Sequence, residues 1–222
     1  VTAGQVIAVY HPAVSGEDGM SVKGRLVPAK HGREQMPLKG KGFDRMDDEV
    51  TYTASMDGKI EMQNDRIVVL PVHEVSGNAE LAEGNIDFRG DIVIHGNVES
   101  GVNIRATGSI TIDGVAEACM LEAGKDIILR GGMLGGNKAS VKTKGAITAK
   151  FFEFTNILCE GDLQADVLMD CSVICHGQIR LTGRKGSIIG GKVQAIRGLI
   201  ATSLGNDAEK RTEIFVGAGI DV

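Results

Sequence analysis

Four cysteines and a histidine give the chain its most reactive side chains: Cys119, Cys159, Cys171 and Cys175, with His176 directly after the last. Thiolate and imidazole are zinc ligands, and structural zinc sites draw them from close pairs on turns that converge on one point. Only Cys171 and Cys175 are closely spaced. The repeat described below places Cys159 and Cys175 at the same inward position of adjacent units, with His176 pointing outward. The pattern therefore predicts buried free thiols that pack as small hydrophobes in a reducing compartment, and no metal.

Gly186-Ser-Ile-Ile-Gly190-Gly191-Lys192 has the glycines and lysine of a phosphate-binding loop, but Val193 stands where Ser or Thr would hold magnesium. Such a loop also needs a strand before it and a helix after it. Here the following residues begin another repeat unit. His11, His31, His73, His95 and His176 have ordinary polar neighbours, and Asp47-Asp48-Glu49 reads as a solvated loop. No catalytic centre and no cofactor site emerges, and the chain reads as non-enzymatic.

The elements that position these groups come from a repeat running from Ile86 to Ala201. With Gly90, Gly108, Lys125, Gly145, Gly161, Gly177 and Arg197 as position zero, the residues two and four places on are almost all aliphatic: Ile92/Ile94, Ile110/Ile112, Ile127/Leu129, Ile147/Ala149, Leu163/Ala165, Ile179/Leu181 and Leu199/Ala201. Apolar or small residues recur four and two places ahead, from Ile86/Phe88 to Val193/Ala195. Each unit is thus a period-two strand, a corner and a second period-two strand, which is the signature of a solenoid rung. Successive zero positions are 18, 17, 20, 16, 16 and 20 residues apart. A hexapeptide helix needs multiples of six, so the expected fold is all-β: a parallel β-helix, taken as right-handed, with rungs of variable length. A single rung cannot bury its inward face; stacking at about 4.8 Å does so.

All four prolines, Pro12, Pro28, Pro37 and Pro71, precede the repeat. That shift in composition predicts a small β-rich, barrel- or sandwich-like module over 1–80, the β-helix over 81–205, and a polar break with a short strand over 206–222. Within the module, Ala54 to Ile60 resembles the hairpin of biotinyl and lipoyl carrier domains. Its tip, however, reads Ser55-Met56-Asp57-Gly58 and places Lys59 beyond the turn. The formal charge of −5 and scarce aromatics give no footprint for nucleic acid. No apolar run approaches the roughly 18 residues of a spanning helix, and no leader is evident. A cytoplasmic protein is expected, and, as no initiating Met is present, a longer chain of which this is a piece is expected too.

Gly132-Met133-Leu134-Gly135-Gly136 recurs three rungs later as Ser187-Ile188-Ile189-Gly190-Gly191. Both stretches fall in enlarged rungs, so they are expected as loops bulging from one edge about 14 Å apart. Arg184 and Lys185 precede the second, while Arg130 and Lys138 flank the first. Met133, Leu134, Arg184, Lys185, Ile188 and Ile189 thus form a candidate edge for an acidic protein partner, against the plainer reading of a solvated face.

Gly16-Glu-Asp-Gly19-Met-Ser-Val22-Lys-Gly24, Gly84-Asn85-Ile86-Asp87-Phe88-Arg-Gly90, Gly183-Arg-Lys-Gly186-Ser-Ile-Ile-Gly190-Gly191 and Thr212-Glu-Ile214-Phe-Val-Gly217 together resemble the bacterial flagellar assembly protein A (FapA) family, over nearly the whole chain. The resemblance implies a non-enzymatic cytoplasmic scaffold that acts in flagellum assembly or positioning through protein contacts. It further implies recruitment to a cell pole and, as partner, a sugar phosphotransferase-system regulator or a flagellar or polar protein. It supplies no catalytic residues. A different class stays open: a bactofilin-like polymer of β-helices stacked end to end, or another homo-oligomer. In that reading capping decides, with the first module expected to cover the rung of Ile86 and residues 203–211 the other end. A carbohydrate-active β-helix would need outward carboxylates on adjacent rungs, where Asp87, Arg105, Glu122, Lys142, Leu158 and Ile174 stand instead.

Overall fold

The computed structural model describes residues 1–34, 37–64, 66–183 and 186–217. They divide into two units, Val1–Pro71 and Val72–Val222.

In the first unit, strand Thr51–Ala54 lies between Val6–Val9 and Phe43–Arg45, antiparallel to both. A second sheet joins Gly40–Lys41, Arg66–Leu70 and Lys59–Gln63, and Gly19–Met20 pairs with Leu26–Val27. Among the described residues of this unit, Tyr52, Ala54 and Val69 are the buried apolar ones, and the ring of Phe43 packs edge-on against Tyr52 at 5.7 Å. The carrier-type hairpin is absent. Thr51–Ala54 and Lys59–Gln63 fall in different sheets, and between them the backbone of Gly58 lies against Leu70, where a Cβ would sit 2.0 Å from the carbonyl oxygen. The real hairpin joins Lys59–Gln63 to Arg66–Leu70, with Asn64 at φ 48° in the turn.

The second unit is a parallel β-solenoid of about eight turns. Strand Val72–Val75, which the proline distribution groups with the first module, pairs parallel with Asp91–Ile94 and opens an eight-stranded sheet. The expected register is present: Ile92, Ile110 and Ile127 lie directly across from one another, as do Leu121, Val141, Ile157, Val173 and Val193 on the other sheet. All are buried at 3% exposure or less. A third straight segment completes these rungs, the 16-residue ones included, with Ala116, Met133, Phe152, Leu168 and Ile188 inward and fully buried.

Two devices turn the corners. At position zero the backbones stack so closely that a Cβ on Gly161 would lie 2.5 Å from the Gly145 carbonyl oxygen, and one on Gly177 only 2.2 Å from that of Gly161. Beside them the carboxylates of Asp91, Asp126 and Asp162 each accept the amide N–H of the residue after the next rung's corner, Ser109, Ala146 and Gln178, at 2.7–2.8 Å. At the second corner one or two residues per rung adopt a left-handed backbone: Ala118, Gly136 and Asn137, Phe154, Asp170, and Gly190 and Gly191, with φ between 36° and 81°. These residues are mostly not glycine. The stacked neighbours hold them in a conformation that costs of order 1 kcal/mol or more in isolation.

Candidate interaction surface

The glycine-rich stretches expected as loops are strands. Met133–Thr143 and Ser187–Ala195 run through the second corner as members of the ten-stranded sheet. Only the first bulges, between Leu134 and Ala139, where it carries extra residues opposite Phe154. Gly191 stays in register with Cys171 and packs on its carbonyl oxygen, where a Cβ would be 2.2 Å away. Glycine is here a requirement of close stacking, not a sign of a loop.

Of the edge residues, Met133 and Ile188 point into the core and are fully buried, which removes them from any exposed surface. Leu134 is 41% exposed and Ile189 half-buried, in one outward row with Glu153 and Met169 between them. Arg184 and Lys185 lie outside the described residues. Arg130 is engaged with Asp113 at 3.2 Å.

The same stacking that aligns the core aligns the outside into rows one rung apart. On the face formed by Ile86–Phe88, Asn103–Ala106, Met120–Ala123 and the end of Met133–Thr143, one row reads Asp87, Arg105, Glu122, Lys142. Arg105 Nε lies 3.2 Å from Glu122 Oε2, and Lys142 Nζ 4.0 Å from Glu122 Oε1. Beside it runs a row of Asn85, Asn103, Met120 and Ser140, and the two rows line a shallow groove of about 430 Å³. Further along, the charged row gives way to Leu158, Ile174, the buried Gln194 and Phe215, with Lys192 over the Phe215 ring at 5.4 Å.

At a third edge His95 bridges three rungs, with Nε2 2.9 Å from Glu74 Oε1 and Nδ1 2.9 Å from Asp113 Oδ2. The hydrogen bonds to Glu74 and then to Asp113 hold the imidazole pKa above its ordinary value. His95, Asp113 and Arg130 all stand five places after a zero position, and that shared offset is the signal through which the sequence could have disclosed the ladder.

The cysteines are internal. Cys159 and Cys175 are directly opposite one another on adjacent strands. Burial pushes the Cys119 thiol up to about 12 and that of Cys171 to about 11. The contact with Cys175, together with burial, holds Cys159 far above the usual thiol range. Cys119, Cys159 and Cys171, protonated to this degree, are poor nucleophiles and poor metal ligands, whereas the contact with Cys159 lowers the pKa of the Cys175 thiol, which is shielded by its burial alone.

Two family models match the sequence: the Flagellar Assembly Protein A beta solenoid domain over residues 71–221, and the Flagellar Assembly Protein A N-terminal region over residues 1–65. The chain belongs to the Flagellar Assembly Protein A family. The searches of curated proteins and of solved structures returned no match. The FapA solenoid match begins at residue 71, within one residue of the division of the structure between Pro71 and Val72, and it covers every strand of the stack. Among the described residues no helix is long and apolar enough to cross a membrane.

Proposed function

We propose that this FapA-family chain is a non-enzymatic scaffold in bacterial flagellum assembly, acting in the cytoplasm through protein contacts and recruited to a cell pole. The observation that carries this reading is the stack itself, which sets outward side chains into rows of fixed spacing on a rigid body, the geometry solenoids use for extended binding surfaces. The edge containing Leu134 and Ile189, with Arg184 and Lys185 close in sequence, is the proposed docking site for an acidic protein, of which a sugar phosphotransferase-system regulator is one kind. A titration of the Arg184→Glu/Lys185→Glu double variant against that regulator tests this. Weaker binding at an unchanged thermal midpoint is expected, and parental affinity would retire the edge.

End-to-end assembly is favoured by one different observation. In the last described rung Leu204 and Val216 are 58% and 60% exposed, although their register partners Ile188 and Ala195 are fully buried. Light scattering against concentration separates the two readings, since a polymer grows without limit whereas a scaffold does not.

A further inference from the structure

The row Asp87, Arg105, Glu122, Lys142 alternates in sign along the stack, and it is internally uneven. Arg105 and Glu122 at its centre form an ion pair at 3.2 Å. At its ends Lys142 reaches Glu122 only at 4.0 Å, and Asp87, though directly across from Arg105, makes no ion pair among the described residues. The side chains of Arg105, Glu122 and Lys142 are 65%, 49% and 57% exposed. The two charges with the least internal compensation are thus the two outermost ones, of opposite sign.

A row that reads minus, plus, minus, plus reads plus, minus, plus, minus when inverted. A two-fold axis lying in the plane of the face, parallel to the strands and midway between the rungs of Arg105 and Glu122, therefore makes the row complementary to itself. Asp87 meets Lys142 of the second copy and Arg105 meets Glu122 of the second copy, each twice. The same axis sets the half-exposed Met120, 51% accessible, against Asn103 of the second copy at the centre. An axis along the solenoid would instead place every charge on its own like, so the charges select the antiparallel arrangement.

From this complementarity we infer that the face carrying Asp87, Arg105, Glu122 and Lys142 is the contact surface of an antiparallel, side-by-side dimer of this chain. Such a contact is isologous and closed: it stops at two copies, unlike end-to-end stacking. Because its charges are partly exposed, its strength falls as salt rises.

Sedimentation equilibrium over a range of protein concentration, at low and at raised ionic strength, reads the association. The parent chain is expected to dimerise at low salt and to dissociate as salt rises. Arg105→Glu sets a carboxylate against Glu122 of the second copy, and Glu122→Arg sets a guanidinium against Arg105 of the second copy. Each single variant is therefore expected to associate at least about tenfold more weakly, each substitution counting twice by symmetry. An equimolar mixture of the two single variants is expected to form the dimer again, because the altered residues then face opposite charges. The double variant Arg105→Glu/Glu122→Arg should dimerise like the parent. Recovery on mixing cannot come from a folding defect, and thermal midpoints of the single variants check the fold separately. A parent that remains monomeric at low salt, a dimer indifferent to either single reversal, a mixture that fails to recover, or species that grow beyond two copies would each overturn the assignment.

Discussion

Cys159 lies directly across from Cys175 on neighbouring parallel strands, and both thiols point at one acceptor, the carbonyl oxygen of Gly161, at 3.4 and 3.2 Å. Both are fully buried among Val, Ile and Leu side chains. The native protein is therefore expected to react with a thiol reagent only as fast as it opens, and Cys175→Ser should leave the metal content of the purified chain unchanged. About one zinc per chain, lost in Cys175→Ser, would contradict this.

Ile110 and Ile147 belong to one inward row and are wholly inaccessible. Ile110→Asp or Ile147→Asp sets an unpaired carboxylate where no partner and no water reaches it, at a cost of several kcal/mol, roughly 3–5. Thermal unfolding checks it, and a parental midpoint for either variant would show the row to be misassigned.

His95 gives the stack a pH dependence of definite sign. Its folded pKa is raised by Glu74 and Asp113, so its stabilising effect is complete below the unfolded value of about 6.5 and is lost as pH rises through the higher folded value. The thermal midpoint of the parent relative to His95→Gln should thus shrink between mildly acidic and mildly alkaline pH. A difference that is constant or grows with pH would contradict the ladder.

Gly191 has φ +81°, and a Cβ there would meet the Cys171 carbonyl oxygen at 2.2 Å. Gly191→Ala is expected to cost about 2 kcal/mol or more. In a loop without that close contact the same change would cost only the left-handed strain, about 1 kcal/mol, so a larger loss in this one variant marks the stacked strand.

The solenoid was readable because its core repeats: a row such as Ile92, Ile110, Ile127 and Ile147 imposes the same apolar choice on every rung, and the register follows. The second corner was not readable, since Ala118 and Phe154 have none of the local chemistry that marks a left-handed residue and only Asp170 is of a type that favours it; stacked neighbours, not propensity, hold Ala118 and Phe154 there. Gly190 and Gly191 misled for the related reason that glycine serves close packing as well as turns. In the first unit Val6–Val9 pairs with Thr51–Ala54, more than forty residues away, a pairing that no repeat announces. Of the edge residues, alternation within Met133-Leu134 and Ile188-Ile189 already implied that one of each pair faces inward. What no local pattern supplied is which one, because that depends on the phase of the third segment.

On the proposed reading, this FapA-family solenoid serves flagellum assembly through its outer surface. The most direct test of that role is the count of flagella per cell in the source bacterium carrying, in place of its own gene, the Arg184→Glu/Lys185→Glu version at parental abundance and thermal midpoint. An abnormal number or position of flagella is predicted, and normal flagellation would contradict the proposed role.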